Sequence, residues 1–261
     1  MLPTETITAI ADELAAAERD RRTIPLLTAR HPGMTVADSY AVQNEWRRRG
    51  IERGRTPVGR KIGLTSKVMQ AATGITEPDY GTIFDDMVFE NGSVIEHDRF
   101  VNVRIEVELA FVLGAAVDGP RATVFDVLRA TEYVVPALEI LSSRIELAGR
   151  TIVDTISDNA AMGGLVYGGN PVRPNDVDLR WVSALLYRNE TIEESGVAAA
   201  VLNHPATGVA WLANKLSEHG DRLEAGEIVL AGSFTRPLWV ERNDTILADY
   251  GPMGTISCRF V

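Results

Sequence analysis

The sequence predicts an α+β protein, a helical N-terminal region packed on a β-rich body, and three observations carry that expectation. Within about the first 55 residues, Ile7, Ile10 and Leu14 recur at helical spacing. From Pro57 the texture changes to short apolar stretches broken by Gly, Pro, Asn and Asp, as strands and turns do. Val101, Val103, Ile105, Val107, Leu109, Phe111 and Leu113 then fill every odd position of one stretch, and Asn102, Arg104, Glu106 and Glu108 fill the first four even ones. Strict period two turns one face of a strand into a core.

In chain order, the first helix follows Thr4 and Thr6. Thr35 and Asp38 form a capping-box pattern that opens a helix through Trp46. The stretch RRRGIERGR reads as an exposed basic helix end and turn. After the strand from Val101 to Leu113, a helix is expected from Thr123 to Thr131, then the apolar segment EYVVPALEIL. Pro205 stands where a first helical turn tolerates it, and Val209, Leu212 and Leu216 keep helical spacing until Gly220. EIVLAGSF, TILADYG and GTISCRFV return to strands. No repeat, low-complexity tract or linker interrupts the chain. Residues 1–261 are therefore expected to close as one catalytic unit, helical over about 1–55 and β-rich over about 56–261.

Composition narrows the function. With 261 residues, 45% hydrophobic and 24% charged, the chain can bury an ordinary core without disulfides. Lys and Arg number 26 against 36 Asp and Glu, a net charge of −10. That excess of negative charge disfavours nucleic acid and anionic membrane surfaces as partners. Cys258 is the single cysteine, which excludes an internal disulfide and CxxC metal motifs. The first segment lacks the pattern of a secretory signal, and no apolar run approaches the roughly 18 residues of a membrane span. The expectation is a cytoplasmic enzyme acting on a small molecule. An anionic substrate would need a local positive site, such as a metal.

The residues that could carry chemistry are few. Among the 26 basic residues only Lys61, Lys67 and Lys215 are lysines, and two of them fall within GRKIGLTSK. A lysine can be tuned as an acid or base where an arginine cannot. Glu106 and Glu108 project from one face of a strand about 7 Å apart. They could equally be its solvated face, with Arg104 balancing one charge. Glu139 lies in apolar VVPALEIL, where a carboxylate is costly unless paired, metal-bound or turned to water. If the three converge, an all-oxygen site favours Mg²⁺ or Mn²⁺ over zinc, with Ca²⁺ still open. Lys61 and Asp79 could move protons beside such a metal, although Asp79 in Pro-Asp-Tyr-Gly also reads as plain turn chemistry. No GxxxxGKS, GxGxxG or GxSxG motif is present.

GRKIGLTSKVMQ, EPDYG, RIEVELAFVL, VVPALEI, DTISDNAA, LNHPATGVAWLANKL, AGEIVLAGSFTRP and ADYGPMGTISCRFV together resemble the hydratase/decarboxylase family of meta-cleavage catabolism, related to the fumarylacetoacetate hydrolases. The resemblance covers nearly the whole chain with its motifs in order. It implies a fumarylacetoacetate hydrolase-like β-rich roll, a divalent ion, usually Mg²⁺, and a homo-oligomer. Motif by motif, it implies metal ligands at Glu106, Glu108 and Glu139, a catalytic lysine at Lys61 with acidic partner Asp79, and an active-site segment at Ser233 and Thr235. Two departures stand out. Glu190 follows Asn189 where the family pattern has glycine, and the stretch after Arg144, IELAGRTIVD, is shorter than in some relatives.

The activity this implies is hydration of a 2-oxo-enoate formed from a 2-hydroxydienoate. A seven-carbon dioate is the expected substrate. Arg104, Arg144 and Arg236 are candidates for its second carboxylate, since a guanidinium binds a carboxylate through two parallel hydrogen bonds. Hydration of a five-carbon monoacid and decarboxylation of 4-oxalocrotonate are the alternatives within the family. A metal-binding module without turnover is the plain alternative outside it.

Overall fold

The N-terminal helices form because each has an apolar stripe to bury and a local device to start it. The computed structural model describes residues 1–66, 70 and 77–261, so Lys67 lies outside the described residues. Helix α1 (Thr4–Asp20) buries Ile10, Ala11, Leu14, Ala15 and Ala17. After the short α2 (Leu27–Arg30), α3 (Val36–Glu52) opens on the expected capping box, Thr35 and Asp38 each bonding the other's backbone. It runs past Trp46 because Arg48 and Arg49 pair with Glu45, and Arg49 also with Asp12 of α1. The basic stretch is less exposed than expected. Arg49 and Arg55 side chains keep only 20% and 19% exposure, and Arg55 lies 4.2 Å over the Phe84 ring.

Two sheets make the body. The larger has eight strands: β1 (Pro57–Gly63), β2 (Asp79–Phe84), β3 (Val88–Glu90), β5 (Arg104–Leu113), β6 (Thr131–Leu141), β7 (Met162–Tyr167), β10 (Ile228–Leu230) and β11 (Leu238–Trp239). Their order is β2-β1-β10-β5-β6-β7-β3, with β11 beside β5. The smaller has five in the order β4-β13-β12-β8-β9. These are β4 (Ser93–Ile95), β8 (Ser183–Arg188), β9 (Thr191–Val197), β12 (Thr245–Asp249) and β13 (Thr255–Phe260). Helix α4 (Val124–Ala130) precedes β6, and α5 (Ile152–Ser157) precedes β7. Helix α6 (Pro205–Ser217) carries the predicted apolar face, with Val209, Leu212 and Leu216 buried.

The large sheet is covered on both sides, and this positions the site. The odd residues of β5, Ile105 through Leu113, join a core shared with the small sheet and α6. The other face meets the N-terminal helices, so Ala110, Val135 and Ala137 pack with Ile10, Leu14 and Trp46. The strand begins at Arg104 rather than Val101, and its polar face is largely covered: Arg104 and Glu106 are half-buried and Glu108 is buried. Period two alone cannot reveal that a second layer covers the polar side.

Candidate metal centre

Strand register assembles the acidic cluster. Glu106 of β5 pairs directly across from Glu139 of β6, and Glu108 is two residues further on the same face. One oxygen from each of the three carboxylates lies within 4.8 Å of the others. Glu139 has 0% exposure, so its carboxylate is not turned to water. Around Glu108 the backbone is pinned: the Gly232 N–H donates to its Oε2 at 2.8 Å, and the buried Tyr250 hydroxyl lies 2.8 Å from Glu108 O and 2.6 Å from Ala137 O.

Lys61 and Asp79 reach the same cluster from β1 and β2. Lys61 pairs across from Gly81, and Gly63 across from Asp79, so the lysine and aspartate stand diagonally on one face with two glycines filling the other diagonal. The glycines are required by space. A Cβ on Gly63 would come within 2.1 Å of Asp79 Oδ1, and one on Gly81 within 2.5 Å of Asn159 O. Lys61 Nζ lies 3.0 Å from Glu139 Oε1 and donates to Ala160 O at 2.9 Å. Asp79 begins a strand and keeps 1% exposure, so the plain turn reading fails.

Ala160 is held by a short left-handed run. Asn159, Ala160 and Ala161 have φ of 50°, 52° and 59°, a conformation costing about 1–2 kcal/mol per non-glycine residue. The Asn159 side chain pins it by accepting from Thr82 N at 2.7 Å and donating to Thr82 O at 2.9 Å. DTISDNAA carried no local sign of this role; left-handed φ at an Asn-Ala-Ala run is legible only in the fold.

The electrostatics call for a cation. Burial, and then the facing Glu139, push the Glu106 carboxyl up to about 8, while burial followed by Glu139 and Glu106 drives Glu108 well above the usual carboxylate range. Asp79 is also raised, chiefly by burial. Burial opposes the charge on Lys61, but Glu139, Asp79, Glu108 and Glu106 outweigh it and hold the ammonium above its ordinary pKa. Neither Glu139 oxygen, nor Asp79 Oδ1, accepts a hydrogen bond among the described residues. Three clustered carboxylates, with both Glu139 oxygens lacking a hydrogen bond and no imidazole or thiolate nearby, fit a hard divalent cation such as Mg²⁺.

The remaining predicted residues divide. Thr235 Oγ1 accepts from Val107 N at 3.1 Å, and Ser233 Oγ donates to Thr235 O at 2.8 Å, so both hydroxyls brace the loop after β10. Arg144 is not free to bind substrate: it is buried, its backbone N–H and Nε both bond the Asp158 carboxylate, and Nη2 donates to Asp158 O at 2.7 Å. Arg236 points to solvent with an 82% exposed side chain paired to Glu194. Arg104 shares the face of Glu106, and its Nε and Nη2 are buried without a partner among the described residues. Arg150 was not anticipated. It donates to Ser143 Oγ at 2.8 Å, and its charge acts on Asp79, Arg104 and Asp158. The unusual length of IELAGRTIVD was the one hint that its loop mattered.

Comparison with known proteins identifies relatives of the chain and of its fold. Residues 65–261 match the family described as fumarylacetoacetate (FAA) hydrolase C-terminal. The chain is 55% identical over 267 aligned positions to the 2-oxo-hept-4-ene-1,7-dioate hydratase of Escherichia coli, covering 100% of both. It is 39% identical to the 2-keto-4-pentenoate hydratase of Paraburkholderia xenovorans strain LB400, covering 96% of this chain and 93% of that one. Among solved structures, 4-oxalocrotonate decarboxylase from Pseudomonas putida G7, complexed with magnesium and adipate, superposes with a TM-score of 0.98 at 35% identity, over 100% of this chain and 99% of that one.

Proposed function

We propose, from the premise that this chain belongs to the fumarylacetoacetate (FAA) hydrolase family, that it is a divalent-metal-dependent hydratase converting 2-oxohept-4-ene-1,7-dioate to 4-hydroxy-2-oxoheptanedioate. The observation that carries the reading is the convergence of Glu106, Glu108 and Glu139 with Lys61 and Asp79, in a chain 55% identical end to end to a hydratase of that substrate. Its likeness to a magnesium complex supports Mg²⁺ as the ion.

Glu106, Glu108 and Glu139 would hold the metal, each through a carboxylate oxygen. When bound, the ion supplies Lewis acidity at the substrate's C2 oxygen. The protein's own residues move the protons. Net hydration shifts a proton from C3 to C5, adds water oxygen at C4 and returns a proton to C3. Lys61 and Asp79 would carry these transfers. Lys61, Asp79, Glu108 and Glu139 are buried, which would favour addition of a positioned water over bulk solvent. Ala160 O fixes the Lys61 ammonium, and the glycine at position 63 leaves Asp79 Oδ1 room beside it.

The reading includes a cytoplasmic homo-oligomer. The free, buried Cys258 fits a reducing compartment. Exposed Phe125, Trp181 and Ile192 offer apolar surface to a second copy. Among the described residues, no helix is long and apolar enough to cross a membrane.

The direct test follows 2-hydroxyhepta-2,4-diene-1,7-dioate with the protein in Mg²⁺ and in EDTA. The expected outcome is Mg²⁺-dependent loss of the diene absorbance and a product heavier by one water. Release of carbon dioxide from 4-oxalocrotonate at the higher rate would replace this reading with decarboxylation. Metal binding without turnover of either substrate would reduce the protein to a binding module.

A further inference from the structure

We propose that the side-on edge of Arg104 receives the distal carboxylate of the substrate and selects a dioate over a monoacid. The proposal takes the substrate's chain length from the hydratase reading and its recognition group from the geometry.

A buried polar group almost always has a partner, so an orphan asks what it meets. Arg104 presents two: Nε and Nη2, the pair of donors on one edge of the guanidinium. Those two N–H groups run parallel and match the two oxygens of a carboxylate. Arg104 forms no ion pair among the described residues, although it stands two residues from Glu106 on the same face. Trp239, directly across from it on β11, holds its ring centroid 5.4 Å from the guanidinium carbon and fixes the plane of the fork.

The placement suits the chain length. Two residues along a strand advance about 7 Å. With C–C bonds of about 1.5 Å, an extended seven-carbon chain separates its terminal carbons by roughly 7–8 Å. A dioate whose first carboxylate lies at the glutamate cluster therefore brings its second to the neighbourhood of Arg104. A five-carbon monoacid has nothing to offer there. The other sequence candidates do not compete, because Arg144 is consumed by Asp158 and Arg236 by Glu194 in solvent.

The test compares binding of 2-oxoheptanedioate and 2-oxoheptanoate, which differ only in the distal carboxylate, to the Mg²⁺-loaded protein by calorimetry. The wild type should prefer the dioate by about 10- to 100-fold, the range for charge-assisted hydrogen bonds. Arg104→Gln should remove most of that preference while weakening the monoacid by less than about threefold. Arg104→Lys, which keeps the charge without the fork, should recover only part of it. Equal affinities in the wild type, or an unchanged preference in Arg104→Gln, would overturn the proposal. Because the readout is binding, a protein that shows this preference yet forms no hydrated product would sink the hydratase reading and leave the carboxylate clamp standing.

Discussion

Gly63 bears on the reaction through a side chain it lacks. Opposite Asp79 in the register, it leaves room that a methyl group would fill, 2.1 Å from Asp79 Oδ1 and 3.3 Å from Lys61 Nζ. Gly63→Ala should therefore push the Asp79 carboxylate aside without disturbing the glutamates on β5 and β6. Displacement of a reacting group by 1 Å can cost about 100-fold, so kcat should fall by about that factor. Mn²⁺ affinity, read by electron paramagnetic resonance, should stay within about threefold, because the ligands are unmoved. A variant with kcat near wild type would remove Asp79 from the chemistry. At this scale the sequence was informative about residue types and poor about surroundings. The family motifs named Lys61, Asp79 and the three glutamates, whereas local reading alone favoured a turn for Asp79 and left a solvated face open for Glu106 and Glu108. What decides those cases is the second layer over the sheet, formed by residues far away in the chain. The same reason separates Arg144 from Arg104: only the fold shows that Asp158 has taken one and nothing has taken the other.

The β8–β9 hairpin is where an element departs from what its sequence should contain. Its two-residue turn, Asn189 and Glu190, has φ of 50° and 71°. Such a turn favours Asn-Gly, because both central residues are left-handed. Asn189 tolerates the conformation and is anchored to β12, its N–H donating to Thr245 O and its Oδ1 accepting from Thr245 N, both at 2.9 Å. Glu190 has no such compensation and is exposed. Glu190→Gly should stabilise the protein by about 1 kcal/mol, the net of the left-handed penalty and the entropy of glycine. That corresponds to a rise in melting temperature of roughly 2–4 °C by calorimetry, and a fall instead would show that the glutamate makes a contact worth more than its strain. The missing glycine was visible in the sequence as a departure from the family pattern. Its consequence was not, since the register of the turn depends on both strands. Elements with local punctuation fared better: the capping box at Thr35 and Asp38 and the Pro205 helix start stand where the residues put them. The strand beginning at Arg104 did not, because Val101 and Val103 keep the alternation outside the ladder, each carbonyl accepting a single backbone bond, from Ser143 and Val240.

Across the whole molecule, the site is a junction of segments far apart in the chain. β1 pairs parallel with β10 across most of the chain length, β5 with β6 through the two facing glutamates, and the Asn159 corner closes over β2. Helical spacing and period two made the α+β class and the N-terminal helices legible, but neither periodicity encodes which distant strands pair, so the strand order came only with the structure. One consequence concerns stability. Clustering on β5 and β6 makes these carboxyls costly to ionise in the metal-free protein, and the unfolded chain has no site that gathers them. A divalent ion binding only the folded state stabilises it by about 2.7 kcal/mol at 100 times its dissociation constant. For a chain of this size that should raise the melting temperature by roughly 5–10 °C. Glu106→Gln should abolish the Mg²⁺-induced rise while melting near pH 7 in EDTA no lower than wild type, because a carboxyl raised to about 8 is already largely protonated there and the amide replaces a neutral group. The measurement is a thermal scan of both proteins in Mg²⁺ and in EDTA. An unaltered Mg²⁺ response in the variant would move the ion away from Glu106, whereas a variant that melts far below wild type in EDTA would mean that Glu106 holds β5 and β6 together.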